Sequence, residues 1–234
     1  MSDRHKIDRI VRYLTDDPIY QIHSFNIDLR ANHIYLVGSD DYATDASGSS
    51  PDEPGVEYSM ASKFIKNLNI LMRKSNSPIL IHMKTCGGNW NEGMAIYDAI
   101  KSCPNIVTIL NYTHARSMSS IIFQAADKRV MMPNSIFMFH EGDIQFSGTI
   151  KQYRSEFQED ERQVEKMLEI YTNVMKMGGC MSSKTSAQIR RWLIDKMNKK
   201  ENVFLTATQA VEYGFADEVF GSDGNYDWKK LIDA

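Results

Sequence analysis

The residues best suited to chemistry in this 234-residue chain are a serine and a histidine, each placed where an apolar run ends. Ser117 lies in the segment THARSMSS, between a run that predicts a strand and a run that predicts a helix. A serine at such a junction lies near helix N-terminal amides, which favour developing negative charge. His140 directly follows the apolar run 136–139, and a histidine that ends a core strand is a residue type suited to general acid–base catalysis. Nucleophilic catalysis is therefore the chemistry that these two residue types suggest.

A glycine pair, Gly87-Gly88, follows another apolar run at residues 79–83. Glycines at such a turn let the backbone bend tightly and expose an amide to a ligand, as an oxyanion hole requires. Each of the three features also has a plainer interpretation. Ser117 would serve as a helix N-cap, His140 as a satisfied core histidine, and the glycines as a simple strand-to-helix turn. The residues alone leave both interpretations open.

The elements that must position these residues alternate along the chain. Helical spacing is predicted at 58–74, near 91–102 and from about Ser117 onward, and strands are predicted at 79–83, 106–110 and 136–139, preceded by two extended segments within 26–38. Strand, helix, strand, helix is typical of right-handed βαβ units around a mostly parallel sheet. The sequence therefore predicts an α/β fold with its turns gathered at one sheet edge.

A long helix is predicted at 149–175, followed by a helix at 183–197 and a short one opened by the capping-box spacing Thr206-x-x-Gln209 and ended by Gly214. Two series of apolar residues recur every seven positions in the long helix: Ile150, Phe157, Val164, Tyr171, and Tyr153, Met167, Val174 with Asp160 interrupting. Such a seam predicts packing on another helix, either in a neighbouring subunit or in the same domain.

Composition excludes several classes of protein. The net charge of −3 offers no footprint for nucleic acid, and no apolar stretch reaches the roughly 20 residues that span a bilayer, so we expect a cytoplasmic protein. The three cysteines form no C-x-x-C pair, and the histidines do not cluster with carboxylates or thiols at metal spacing. We expect reduced thiols and no metal. A short amphipathic helix is predicted at 7–14, and the Asp-, Ser-, Gly- and Pro-rich segment 39–57 predicts a flexible insertion.

Four segments in register resemble the Clp proteolytic-subunit (ClpP) family of serine peptidases. They are Thr85-Cys86-Gly87-Gly88, Ala115-Arg116-Ser117-Met118, Pro133-Asn134-Ser135 leading to His140, and the closing FLTATQAVEYGFADEV at 204–219. The likeness runs from about residue 27 to residue 220. It implies a ClpP/crotonase-like βαβ-repeat domain at 26–221 with 149–175 as a protruding handle helix, an N-terminal helical extension at 1–25 and a tail at 222–234.

The resemblance also implies a serine endopeptidase that hydrolyses unfolded polypeptides inside an oligomeric chamber. Ser117 would be the nucleophile, His140 the base, and the amides of Gly88 and Met118 the oxyanion hole. Residues 143–147 would be an edge strand that pairs with extended substrate. The family forms stacked seven-membered rings without a cofactor, and ATP is hydrolysed by a separate AAA+ unfoldase partner. No P-loop sequence occurs in this chain.

The third triad position departs from the family pattern. The family has Asp two residues before the F-L-(S/T)-A segment, where this chain has Asn202, so Asn202 is the expected orienting residue, with Glu201 and Asp195 as nearby acids that could substitute. Cys86 also replaces a usual proline, which with the insertions indicates a divergent, viral or accessory member. The alternatives from other classes are a weak or inactive ring subunit, a crotonase-fold acyl-CoA enzyme and, less well matched, a Ser/Lys peptidase.

Overall fold

The computed structural model describes residues 17–38, 55–143, 146–224 and 226–231. The predicted helix at 7–14 and most of the predicted insertion at 39–57 lie outside these ranges. The proposed domain boundaries therefore stay predictions.

Seven α-helices and eight strands are formed by the described residues, with a final 3-10 turn at Trp228–Leu231. The helices are α1 (Pro18–Phe25), α2 (Tyr58–Lys74), α3 (Trp90–Lys101), α4 (Met118–Phe123), α5 (Ile150–Met177), α6 (Ser186–Lys199) and α7 (Ala207–Tyr213). The strands are β1 (Ile27–Asp28), β2 (His33–Val37), β3 (Ile79–Thr85), β4 (Val107–Arg116), β5 (Lys128–Met131), β6 (Ile136–Phe139), β7 (Val203–Thr206) and β8 (Glu218–Val219). The alternation of strands and helices predicted from the sequence is confirmed.

The sheet runs in the order β1-β2-β3-β4-β5-β8. Within this order, each neighbouring pair after β1-β2 is parallel: β2-β3, β3-β4, β4-β5 and β5-β8. The first parts of β3 and β4, residues 79–81 and 107–110, are buried and mostly apolar, as expected where helices cover both faces of a parallel sheet. The only antiparallel pairs among the described strands are β1 with β2 and β6 with β7.

Strand β4 divides the sheet into two arms. Its first half, 108–111, pairs with β5, whereas its last residues, 114–116, pair with β6. Because β6 is parallel to β4 and Arg116 lies opposite Met138, the residues that follow the two strands emerge side by side. The pairing of β4 with β6 therefore places Ser117 and His140 at the same edge of the sheet.

The closing segment of the chain is fixed to the core by Arg129 and Asp217. The Arg129 guanidinium donates to both Asp217 carboxylate oxygens, at 3.0 and 2.5 Å, and also to the carbonyl of Gly214 at 3.0 Å. Gly214 ends α7 with φ of 86°, a left-handed conformation that glycine adopts without strain. The charged side chain thus holds the end of α7 and the start of β8 against β5.

Most of the apolar residues of helix α5 are exposed in its first half and buried in its second half. Ile150 is 74% exposed and Phe157 is 44% exposed, whereas Tyr171 is 1% exposed and lies among Phe137, Phe139 and Phe215. The seven-residue seam therefore packs on its own domain in its second half and leaves an apolar face uncovered in its first half. Over the described part of the chain, no helix combines the length and apolarity needed to cross a membrane.

Candidate active site

Ser117 joins β4 to α4 through a strained backbone. Its φ of 52° and ψ of −131° lie outside the regions favoured by a residue with a side chain. It occupies the N-cap position of α4, yet its hydroxyl makes no capping hydrogen bond. Strained residues of this kind collect at functional sites because the surrounding structure must hold them in place. The N-cap interpretation of Ser117 is therefore wrong, and its hydroxyl is available for another partner.

That partner is His140, the first residue after β6. The Nε2 atom of His140 lies 2.9 Å from the Ser117 Oγ, within hydrogen-bond distance for proton transfer. The backbone N–H of Ser117 donates to the carbonyl of Met138 at 3.1 Å, which continues the pairing of β4 with β6 past the end of the strand. Sheet register thus sets the distance between serine and histidine.

Two further serines hold the turn. The Ser119 hydroxyl lies 3.0 Å from the Thr85 carbonyl and 2.7 Å from the Arg116 carbonyl, and it accepts the Arg116 N–H at 3.1 Å. The Ser120 hydroxyl donates to the Ser117 carbonyl at 2.5 Å. Both serines are fully buried, so these bonds are shielded from water and restrain the strained backbone.

Tyr171 of α5 completes this network. Its hydroxyl lies 2.7 Å from the Ser120 Oγ, and burial raises the pKa of Tyr171, so the phenol keeps its proton. Because the Ser120 hydrogen is directed at the Ser117 carbonyl, Tyr171 donates to Ser120. The long helix is thereby connected to the nucleophile turn by two consecutive hydrogen bonds.

The glycine pair approaches the serine closely. Gly87 has φ of 100°, and a Cβ there would lie 2.7 Å from both the Arg116 carbonyl oxygen and the Ser117 Cβ. Gly88 has φ of 147° and lies in a bridge with Val56. The bonds of that bridge use the carbonyl of Gly87 and the N–H of Asn89, at 2.6 and 2.8 Å. Among the described residues, the N–H groups of Gly88 and Met118 have no acceptor, as donors awaiting an oxyanion would.

Arg116 connects this glycine loop to the nucleophile strand. Its Nε donates to the Cys86 carbonyl at 3.2 Å, and its side chain is half-buried. The arginine thus holds the turn 86–88 against the strand that precedes Ser117.

The Nδ1 atom of His140 has no hydrogen-bond partner among the described residues. Continuing the antiparallel register of β6 and β7, in which Phe139 lies opposite Val203, places Asn202 opposite His140. Asn202 is exposed, however, and within the described ranges no hydrogen bond joins it to the histidine. Glu201 and Asp195 are also exposed and make no bond to His140 there. The identity of the third residue stays a prediction.

A cavity of about 780 Å³ opens beside the serine and histidine. Its lining includes Ser117, His140, Gly88 and Met118, so the four residues that the sequence singled out first lie in one place. Helix α5 forms one wall, and the loop that follows His140 forms another. Two residues of the predicted edge strand at 143–147 lie outside the described ranges, so the edge strand stays a prediction.

Sequence reasoning missed Ser119, Ser120 and Tyr171 as supports of the nucleophile. The run Ser117-Met118-Ser119-Ser120 carried a signal, since buried hydroxyls in a short helix need partners. Tyr171 was recognised only as a member of the apolar seam. No group of three or more potential metal ligands occurs in the part of the chain that the structure describes.

Comparison with known proteins gives consistent results. A sequence profile of the Clp protease family matches residues 53–223. The ATP-dependent Clp protease proteolytic subunit 2 of Pseudomonas aeruginosa is 29% identical over 174 residues, which cover 72% of this chain and 79% of that protein. Proteolytic subunit 3 of a Synechococcus strain is 28% identical over 147 residues, covering 62% and 68% of the two chains.

The solved structures include a similar fold. An asparagine-to-aspartate mutant of ClpP1 from Listeria monocytogenes superposes with a TM-score of 0.62 at 20% identity, covering 87% of this chain and 96% of that one. At this level of identity the likeness concerns the path of the backbone. It agrees with the α/β repeat and the long helix described above.

Proposed function

The chain belongs to the Clp protease family as a proteolytic subunit, a serine-type peptidase, and on that premise we propose which residues carry the reaction. Ser117 is the nucleophile and His140 the general base. The single observation that carries this assignment is the 2.9 Å separation of His140 Nε2 and Ser117 Oγ at a strained, non-capping serine.

In the first half-reaction the Ser117 Oγ attacks the peptide carbonyl while its proton passes to Nε2 of His140. The amides of Gly88 and Met118 donate to the oxygen of the tetrahedral intermediate. His140 then returns the proton to the leaving amine, and Ser117 is left acylated. In the second half-reaction His140 deprotonates water, which attacks the acyl carbonyl. His140 then returns this proton to the Ser117 Oγ as the acyl bond breaks, which releases the carboxylic acid product and restores the free serine. No cofactor enters these steps.

We propose Asn202 as the residue that orients His140 through its Nδ1. The register of β6 and β7 supports this assignment, because it places the two residues opposite each other. An amide oxygen can accept from the Nδ1–H, but it supplies no charge to stabilise the imidazolium.

The substrates we propose are unfolded polypeptides, cleaved within a chamber of identical subunits. The uncovered apolar face at the start of α5, with Ile150 74% and Tyr153 49% exposed, supports assembly because such faces are usually buried against a partner. Stacked heptameric rings, a separate ATP-driven unfoldase and a cytoplasmic location complete the proposal.

A serine-directed fluorophosphonate probe tests the assignment. We expect the wild type to be labelled and to cleave fluorogenic peptides, and we expect Ser117→Ala to lose both properties. Ser183→Ala is the matched control, because this exposed serine lies outside the site and should leave labelling unchanged. Labelling that persists in Ser117→Ala would contradict the assignment.

A second candidate function is a ring subunit with little or no turnover. The observation that favours it is the lack of a described hydrogen bond between His140 and any acid or amide at positions 195, 201 or 202. This candidate predicts an unlabelled wild type that still forms rings. The crotonase-fold alternative predicts binding of a CoA ester without labelling of Ser117.

A further inference from the structure

The cavity beside Ser117 is strongly and locally acidic. Among the residues that the structure describes, no lysine or arginine lines it, whereas five carboxylate residues do: Glu141, Asp143, Asp160, Glu161 and Glu165. The whole chain has 27 basic and 30 acidic residues, so this imbalance does not reflect the general composition. The acids come from two separate elements, the loop after His140 and one stretch of α5. They therefore face the cavity together only in the folded chain.

Asp160 is the most informative of these acids. It occupies a position of the seven-residue seam otherwise held by Tyr153, Met167 and Val174, and the last two of those are buried. Asp160 itself is half-buried. A carboxylate on the apolar face of a helix costs free energy of solvation unless a partner compensates it. Its position on the cavity wall leaves this carboxylate accessible to a cationic group that enters the cavity.

Most of the cavity acids have no cation within the described residues. Glu165 is paired with Arg190, whereas no ion pair involves Glu141, Asp143, Asp160 or Glu161 in those ranges. The neighbouring cations on α5 are engaged elsewhere, since Arg162 contacts Glu159 and Lys166 contacts Glu169. The cavity therefore retains at least four negative charges that no described side chain neutralises.

Much of the remaining cavity lining is apolar. Six hydrophobic residues contribute to its lining: Trp90, Met118, Ile121, Phe157, Val164 and Met167. Lysine and arginine side chains have an apolar stem and a charged tip, and they bury the stem along hydrophobic surface while the tip meets polar groups. A volume of about 780 Å³ accommodates such a side chain together with adjoining backbone.

We propose that this cavity is a specificity pocket for basic side chains and that Asp160 is its principal determinant. The inference rests on the proposed peptidase function and names its substrate class. The preferred residue is lysine or arginine, and it precedes the bond that Ser117 attacks. Its stem packs on the apolar walls, and its cationic tip meets Asp160 with support from the other acids. The same charges disfavour glutamate and aspartate at that position.

The test compares fluorogenic peptides that differ only at that residue, which is lysine, norleucine or glutamate. Norleucine keeps the lysine stem and removes the charge. We expect the wild type to cleave the lysine peptide with a kcat/KM about tenfold above that of the norleucine peptide, and to cleave the glutamate peptide slowest. Tenfold corresponds to ~1.4 kcal/mol in the transition state. High salt should reduce the preference, because it screens exposed charges.

The variant Asp160→Asn should lower the lysine-to-norleucine ratio toward one. Glu156→Gln is the matched control, because this substitution also removes one negative charge. Glu156 lies one turn earlier on α5 and does not line the cavity. We expect Glu156→Gln to retain the wild-type ratio. Equal cleavage of the lysine and norleucine peptides by the wild type, or equal effects of the two variants, would overturn the specificity while leaving the peptidase function intact.

If the proposed peptidase function is wrong, the experiment gives a different result from a failure of the specificity proposal alone. In that case no peptide is cleaved and the fluorophosphonate does not label Ser117. Fluorescence anisotropy of the labelled lysine and norleucine peptides then tests the pocket directly. Tighter binding of the lysine peptide that is lost in Asp160→Asn supports a basic-side-chain site. Equal binding of the two peptides overturns it.

Discussion

The two sides of the His140 ring differ sharply in how the protein builds them. On the Nε2 side, Ser117 is held by sheet register, by two buried serines and by Tyr171, and a glycine loop lies against it. On the Nδ1 side, no hydrogen bond to the ring occurs among the described residues, and Asn202, the orienting residue that we propose, is exposed just before β7.

This difference separates two requirements of a serine peptidase. Holding a strained nucleophile needs buried, mutually supporting bonds, because exposed bonds yield readily to water. Orienting the base needs only one acceptor at the ring edge, and an exposed strand end can supply several residue types there. We therefore expect substitutions on the Nε2 side to remove activity and substitutions on the Nδ1 side to adjust it.

The largest effect on activity should come from Gly87→Ala, on the Nε2 side of His140. The new methyl group would meet the Arg116 carbonyl and the Ser117 Cβ, and the backbone there has φ of 100°. Displacement of the serine by about 1 Å is enough for a ~10²-fold loss in kcat/KM, measured with a fluorogenic peptide. The control is Gly224→Ala, which has φ of 78° but no neighbour within 4 Å and should keep full activity. Similar losses in both variants would mean that backbone strain alone, and not the approach to Ser117, limits activity.

The second-largest effect should be a gain in activity, from Asn202→Asp, which changes the residue proposed to orient His140 through Nδ1. A carboxylate would orient His140 and stabilise the imidazolium, so we expect kcat/KM to rise about tenfold or more. The measurement is kcat/KM for the fluorogenic peptide at one fixed pH.

The control for this gain is Asn198→Asp, which introduces the same charge at an exposed position near the end of α6. It should leave kcat/KM unchanged. Unchanged or reduced activity in Asn202→Asp would count against Asn202 as the orienting residue and would direct attention to Glu201 or Asp195.

The smallest effect should come from Tyr171→Phe, at the far end of the buried network. Loss of the hydroxyl leaves Ser120 without its donor, which should lower the free energy of unfolding by about 1–2 kcal/mol. Activity should fall by no more than about fivefold, or ~1 kcal/mol, since Ser120 still donates to the Ser117 carbonyl. Urea denaturation and peptide kinetics measure the two quantities. Tyr153→Phe, in the exposed part of α5, should alter neither, and a loss in Tyr153→Phe as large as that in Tyr171→Phe would contradict the role of the buried bond.

Much of the local structure could be predicted from the sequence. The helix at 58–74 and the strand at 136–139 were predicted with the observed bounds, because amphipathic spacing and a short apolar run are local properties. Ser117, His140 and the glycine pair were found from their positions at the ends of such runs. The extension of β4 to Arg116 was missed, because polar residues from Asn111 onward end the apolar run while the backbone pairing continues with β6.

The sequence by itself determined the order of elements, the seven-residue seam of α5 and the residue types at each turn, because these depend on neighbours along the chain. Only the tertiary structure decided which half of that seam is covered, and that Asp160 faces the same cavity as Glu141. It also decided that Ser117 bonds His140 rather than capping its helix. The physical reason is that β4 divides its pairing between β5 and β6. Residues 23 positions apart in the chain are therefore brought within hydrogen-bond distance by a register that no local pattern encodes.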